Sequence, residues 1–385
     1  MGKDEKCGLT ECPPEWGKIS AIIPHSEWDY FTFPIIIHCR RGGNPMKKVL
    51  FVIAVSAFVF TAGNAFAKGR LVMYCSNEAF ACQEVVDEFA KLNDIKVQMT
   101  RAGSGSTYAK ILAEKDNPKA DVWYAGTLDP HSQAGVNGLL ESYKSPKLSE
   151  IGELFKNPAT SKQNHTTGVY AGVLGYSVNT DVLKELSLPM PKSWDDLSKP
   201  IYKGHVQVAN PQSSGTAYTV LATFVQLWGE DEAYKKLATL HKNVNQYTKS
   251  GSAPGKSAAR GETLIGIGFL HDHALQKANG FPLELVVPAE GTGYEIGGLS
   301  IIKGARNMDN AKLFIDFMLS KEGQEVPQRV KMFQVPTNVN ATVPKEAIRL
   351  EDVKLINYDF VKYGSEEMRK ALIDRWVKEI KPMAR

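Results

Sequence analysis

Cysteine is sparse in this chain, five among 385 residues, and three of the five (Cys7, Cys12 and Cys39) fall within the first 45 positions. Neither sign of charge is concentrated: 46 Lys and Arg stand against 42 Asp and Glu, a net +4. No stretch gathers Lys and Arg into a basic face, which excludes nucleic acid and an anionic membrane surface as partners. Apolar runs are short. The longest, Val49 to Phe60, has about 12 residues, whereas a membrane span needs roughly 20. Catalytic signatures are missing as well: there is no G-x-S-x-G elbow, no H-E-x-x-H helix and no Walker loop. Gly103-Ser104-Gly105-Ser106-Thr107 lacks the lysine that reads a nucleotide phosphate. Nothing assembles a nucleophile, a base and an orienter, so the chain reads as a binder and not an enzyme. Internal repeats, heptads and low-complexity tracts are absent too.

What is present begins with an address. Met46-Lys47-Lys48, the apolar run and the small-residue end Ala65-Phe66-Ala67 form a secretory signal over 46–67, cleaved after Ala67. Residues 1–45 precede the signal's own methionine and show no periodicity. They read as an upstream extension from a misplaced start codon, leaving a working chain of 385 − 67 = 318 residues. Two cysteines then remain, Cys75 and Cys82. An even pair in an exported chain reads as a disulfide; a catalytic thiol is the alternative. No cysteine opens the working chain to carry a lipid, so the expected location is the periplasm.

Two stretches stand out. Val206-Gln207-Val208-Ala209 reads as a strand end, and Pro211 stops ladder pairing. Ser213, Ser214, Gly215 and Thr216 then crowd the start of a helix over 217–228. Helix starts offer free N–H groups and the positive end of the dipole, so strand, polar loop and helix make a seat for an anion. The plain alternative is an ordinary Ser/Thr N-cap. A second copy shifts the balance: Arg101-Ala102-Gly103-Ser104-Gly105-Ser106-Thr107 follows the strand-like run 95–99 and opens a helix over 108–114. Two such loops about 110 residues apart suggest two domains gripping one anionic ligand.

Strand and helix signals alternate from Leu71 onward, with strands over 71–74, 95–99 and 120–124 and helices over 78–92, 108–114 and 128–137. That alternation points to an α/β fold with doubly wound, mostly parallel sheets. Ligands in such sheets lie beyond the carboxyl ends of the strands, where Ser104, Ser106 and Thr127 fall. The glycine-rich β-prone stretch 169–179 reads as a crossover strand into a second domain. Further helices are expected over 310–319, 347–350 and 366–380.

His271 and Asp272 end another β-prone run, Ile265 to Leu270. His271 could donate to a phosphate and Asp272 accept from hydroxyls, or Asp272 could simply cap a helix over 274–278. The two histidines flanking Asp272 stand at i and i+2 on one extended segment with no third ligand nearby, so no metal is expected. Glu290 and Glu295 sit in a glycine-rich segment that allows close approach or a hinge. The stretch from Tyr247 to Ser252 offers further donors, and Arg260 is either a surface residue or an anion clamp.

The segments Arg101–Thr107, Ala120–Pro130, Pro211–Trp228, Gln246–Gly251, Gly268–Asp272 and Glu290–Gly298 are long and collinear. In them the working chain resembles bacterial periplasmic substrate-binding proteins of ABC importers, in the ferric-binding-like branch and its hexose-phosphate-binding type. The resemblance implies a two-lobed type II fold joined by crossover strands, with lobe 1 over 68–168 and 283–330 and lobe 2 over 169–282 and 331–385. It implies a phosphate held by Ser104, Ser106, Thr107, Ser213, Ser214, Gly215 and Thr216, and sugar hydroxyls met by Asp272 and Glu295 with His271 alongside. A membrane permease with its ATPase would be the partner; the receptor would be a monomer without a cofactor. Ferric-binding relatives place adjacent tyrosines about where Leu270-His271-Asp272 stands, and their absence argues against iron. An aminoalkylphosphonate, its ammonium held by the two acids, is the competing ligand, and a periplasmic phosphoryl-ligand enzyme the more distant alternative.

Overall fold

The structure is a computed structural model and describes residues 69–156 and 164–385. The extension over 1–45 and the signal over 46–67 lie outside the described residues.

The chain opens with β1 (Gly69–Cys75), α1 (Ala79–Asn93), β2 (Ile95–Arg101), α2 (Ser104–Ala113), β3 (Val122–Thr127) and α3 (Leu128–Val136). Gly138 stops this last helix at φ +67°, a conformation that costs glycine little. The short β4 (Leu140–Glu141) and α4 (Glu153–Lys156) lead to β5 (Thr167–Asn179), all thirteen residues of which are buried. α5 (Thr180–Glu185), β6 (Val206–Ala209), α6 (Gly215–Trp228), α7 (Glu230–His241), β7 (Val244–Thr248), α8 (Ala253–Ala259), β8 (Ile265–Phe269), α9 (Leu270–Ala278) and β9 (Leu283–Val286) follow. The chain then returns through β10 (Tyr294–Ile302), α10 (Met308–Leu319), α11 (Lys321–Glu325) and β11 (Val335–Pro336), and ends in α12 (Phe360–Tyr363) and α13 (Glu366–Glu379).

The strand order is β2-β1-β3-β10-β5-β8-β6-β7. Each wing is parallel: β1 with β2 and β3, and β6 with β7 and β8. The centre is antiparallel. β10 pairs with β3 on one side and with the first half of β5 on the other, while the second half of β5 pairs with β8. The expected crossover strand is therefore β5, and β10 is a second one.

Each wing has its own core. Leu71, Met73, Phe89, Val122, Leu299, Phe314 and Met318 fill the first, and Phe89 meets Phe314 edge to face with ring centroids 5.1 Å apart. Tyr176, Trp194, Val206, Tyr218, Phe224, Ile265 and Trp376 fill the second. β3, β6 and β8 are buried along their whole length, as strands covered on both faces are. Cys75 and Cys82 form the disulfide, tying the end of β1 to α1.

Three helices differ from the sequence reading. α2 begins at Ser104, four residues early, because the hydroxyl residues of the loop are themselves its first turn. α9 begins at Leu270, so Asp272 lies inside the first turn and caps nothing; Phe269 holds the N-cap position. No α-helix forms over 347–350, where only a single 3₁₀ turn at Leu350–Asp352 appears. Among the described residues, no helix is long and apolar enough to cross a membrane.

Candidate functional site

The carboxyl ends of the parallel strands of both wings converge on one cavity of about 340 Å³. From the first wing come Ser76, Asn77 and Glu78 after β1, Arg101 to Ser104 and Ser106 around the start of α2, and Gly126 and Thr127 at the end of β3. From the second come Ser213 to Thr216 after β6, Lys249 to Ser252 after β7, and Phe269, His271 and Asp272 around the start of α9. Tyr170 of β5 and Glu295 of β10 complete the lining.

The two serine-rich helix starts face each other. A Cβ on Gly103 would stand 3.1 Å from the Ser213 carbonyl, and one on Gly215 would stand 2.2 Å from Thr127 Oγ1. Glycine at these positions lets the two turns approach with no side chain between them. At α6, Ser214 Oγ accepts from the Ala217 N–H at 3.3 Å, leaving its own O–H to donate. The N–H groups of Gly215 and Thr216 precede any intrahelical acceptor. α2 has no side-chain cap at Gly103, and Ser104 Oγ accepts from the Thr127 N–H at 3.1 Å. Thr127 Oγ1 is buried and has no hydrogen-bond partner.

Not every predicted residue reaches the cavity with a free group. Thr107 does not line it: its side chain is buried behind Ser76, with Oγ1 3.1 Å from Ser76 Oγ. The α2 turn rotates that hydroxyl inward, toward the core. Ser213 lines the cavity, but its O–H donates to the Lys249 carbonyl at 3.1 Å. Ser104, Ser106, Thr127, Ser214, Gly215, Thr216, His271, Asp272 and Glu295 all line it. Arg260 is an exposed residue paired to Glu262 at 2.6 Å, and Glu290 accepts from the Trp194 and Asp195 N–H groups at 3.0 Å, outside the cavity.

Sequence reading missed Ser76, Asn77, Glu78 and Tyr170, and gave Arg101 no role of its own. The rule that ligands lie beyond strand carboxyl ends already pointed to 76–78, the three residues after β1. Glu78 reaches across the cavity mouth: its carboxylate accepts from Lys256 Nζ at 2.7 Å and from the Ser252 hydroxyl. Arg101 Nε donates to the Asn77 carbonyl at 2.8 Å. Among the described residues neither Arg101 nor Lys249 is ion-paired with a carboxylate. The cavity therefore holds two cations without a direct ion pair beside the two helix starts, with the Glu78 carboxylate in the same lining.

Its opposite side is acidic but uncharged. Burial, then the neighbouring Glu78 charge, raises Asp272 to about 8. Burial, then Asp272 and Asp129, raises Glu295 well above the usual carboxylate range. Burial lowers His271 to about 3, so its imidazole is neutral. His271 Nε2 stands 3.6 Å from both Asp272 Oδ1 and Glu295 Oε1, too far for a hydrogen bond, and Nδ1 is unpartnered. Gly172 makes room for this ring, since a Cβ there would meet Nδ1 at 2.4 Å. Protonated carboxyls both donate and accept, which suits hydroxyl groups rather than an anion. Among the described residues no group of three His, Cys, Asp or Glu is placed to hold a metal.

Residues 117–363 match the family described as bacterial extracellular solute-binding protein. The chain belongs to that family. Its family resemblance extends over most of its length: a protein of Haemophilus influenzae is 55% identical over 329 residues, 85% of this chain and 95% of that one. Among solved structures, the periplasmic binding protein AfuA from Actinobacillus pleuropneumoniae, with exogenous fructose-6-phosphate bound, is 56% identical with a TM-score of 0.81, covering 82% of this chain and 100% of the other. The major ferric iron-binding protein of Neisseria meningitidis is 26% identical over 285 residues, 72% of this chain and 84% of that one. The chain has the type II periplasmic-binding-protein fold of its structural neighbours.

Proposed function

We propose that this protein is the periplasmic solute-binding component of an ABC importer and that it carries a hexose phosphate, delivering it to a membrane permease and its ATPase. In this reading two lobes, 68–168 with 283–330 and 169–282 with 331–385, close on the ligand. One observation carries the reading: two helix starts of different wings, bearing Ser104, Ser106, Ser214, Gly215 and Thr216, face each other across a single cavity. A phosphoryl dianion receives N–H donors and dipole from both sides there, with Arg101 and Lys249 adding charge. The protonated Asp272 and Glu295 and the neutral His271 then meet what is attached to it, as the hydroxyls of a sugar require. The likeness to a fructose-6-phosphate-bound structure supports the same ligand class.

Thermal melting tests this. Glucose 6-phosphate at a thousandfold excess over Kd stabilises by about 4 kcal/mol through mass action; no shift at millimolar sugar phosphate refutes the proposal. Release of free phosphate on incubation would instead reveal an enzyme. A shift with aminoethylphosphonate and none with sugar phosphate would assign the acids to an ammonium group.

A further inference from the structure

A second recess of about 510 Å³ lies on the outer side of the first wing, away from the ligand cavity. Its floor is pleated sheet: Arg70, Val72 and Tyr74 point from one face of β1, and Gln98 and Thr100 stand opposite Val72 and Tyr74 on β2. Lys110 of α2, Lys119 and Arg306 also line it. The recess holds two acids, and neutral donors already occupy both. Asp121 accepts from the Val72 N–H at 2.7 Å and from the Asn307 N–H and Nδ2 at 2.9 Å; Glu114 accepts from the Tyr74 hydroxyl at 2.7 Å. Three of the four cations have other neighbours: Arg70 donates to Gln98, Arg306 donates to Asn117, and Lys110 Nζ lies 4.5 Å above the Tyr74 ring.

Arg260, Arg329, Arg349, Arg369 and Arg375 are all paired with carboxylates. Among the described residues the unpaired arginines are Arg101 in the ligand cavity, Arg385 at the chain end, and Arg70 and Arg306 here. β2 is also the terminal strand of the sheet order, with no described strand on its outer side.

The geometry points to a docking groove for an extended acidic segment of a partner protein. The floor from Arg70 to Tyr74 spans four residues at about 3.3 Å each, roughly 13 Å, the length of a short extended peptide. Successive side chains of such a segment point to opposite sides. Acidic residues at alternate positions meet the cations, none of which has a carboxylate partner, while apolar or hydroxyl residues pack on Val72 and Tyr74.

The test is fluorescence anisotropy of a labelled peptide of alternating Glu and Thr against the whole protein. Saturable binding is expected that weakens as salt is raised from about 50 to about 300 mM. Arg70→Glu with Arg306→Glu should weaken it about tenfold or more, with the melting temperature recorded as the check on folding. Lys203→Glu, at an exposed lysine outside the groove, should leave it unchanged. No saturable binding, or equal weakening by Lys203→Glu, overturns the proposal. Displacement of the peptide by pyrophosphate at matched ionic strength also overturns it, assigning the recess to small anions.

Discussion

Gly215→Ala isolates the approach of the two wings. Gly215 is the first residue of α6 and does not adopt positive φ, so alanine fits the backbone and the helix. What the added methyl meets is the other side of the cavity: Thr127 Oγ1 at 2.2 Å, Cγ2 at 2.9 Å and Cβ at 3.1 Å. Thr127 is buried and cannot swing into solvent, so the wings must separate or the helix start must shift. Overpacking of this kind costs about 1–3 kcal/mol, which at 1.4 kcal/mol per tenfold becomes roughly 5- to 150-fold in Kd. Under the proposed closure of the lobes, the cost falls on the closed arrangement only. Isothermal titration with glucose 6-phosphate should therefore show weaker binding, while the melting temperature of the ligand-free protein stays close to that of the parent. An unchanged Kd refutes the close approach of the α6 start to the end of β3. An equal loss of stability without ligand refutes the reading that the wings part.

Other outcomes follow from the same structure. Arg369 and Asp129 form a buried ion pair at 2.5 Å, and Arg369→Met leaves the carboxylate alone, so urea unfolding should register a loss of about 3–5 kcal/mol. Replacing Cys75 and Cys82 with alanine opens a loop of sequence separation 7 and should cost roughly 2.5 kcal/mol on the chain-entropy account, again read by urea. Stability of the ligand-free protein should fall between about pH 6.5 and about pH 8. Asp272, raised to about 8, keeps its proton in the folded state while the unfolded chain has lost it, so folding is favoured at low pH and the gain disappears as pH rises through 8. Below 6.5 the buried His131, His271 and His273, lowered to about 3, 3 and 4, oppose this because the unfolded chain binds their protons. The slope is at most about 1.4 kcal/mol per pH unit for each acid, and Asp272→Asn should flatten it in melting curves taken across that window.

Much of this was legible in the sequence because it rests on local pattern. Strand and helix alternation gave the parallel wings, and β6, with its following serine cluster, lies at the positions its residues predicted. The pairing of Cys75 with Cys82 required only an even count. Which side chains point into the cavity depended on helix phase, which composition does not set. Starting α2 at Ser104 instead of Tyr108 turns Thr107 inward, and starting α9 at Leu270 turns Asp272 from a cap into a cavity wall. Glu78 was unreadable for a different reason: its partners Ser252 and Lys256 lie 174 and 178 residues away, and no local signal marks such a contact.

The central strand β10 has a consequence for how the chain comes together. Leu299 sits opposite Tyr124, 299 − 124 = 175 residues earlier, and Phe314 closes on Phe89 across 314 − 89 = 225. The first wing is thus finished by segments synthesised after the strands β6 to β8 of the second, a long-range closure that slows folding. A nascent or truncated chain ending before Tyr294 carries a slot through the middle of its sheet, with β3 and β5 each presenting a bare edge to any stray strand.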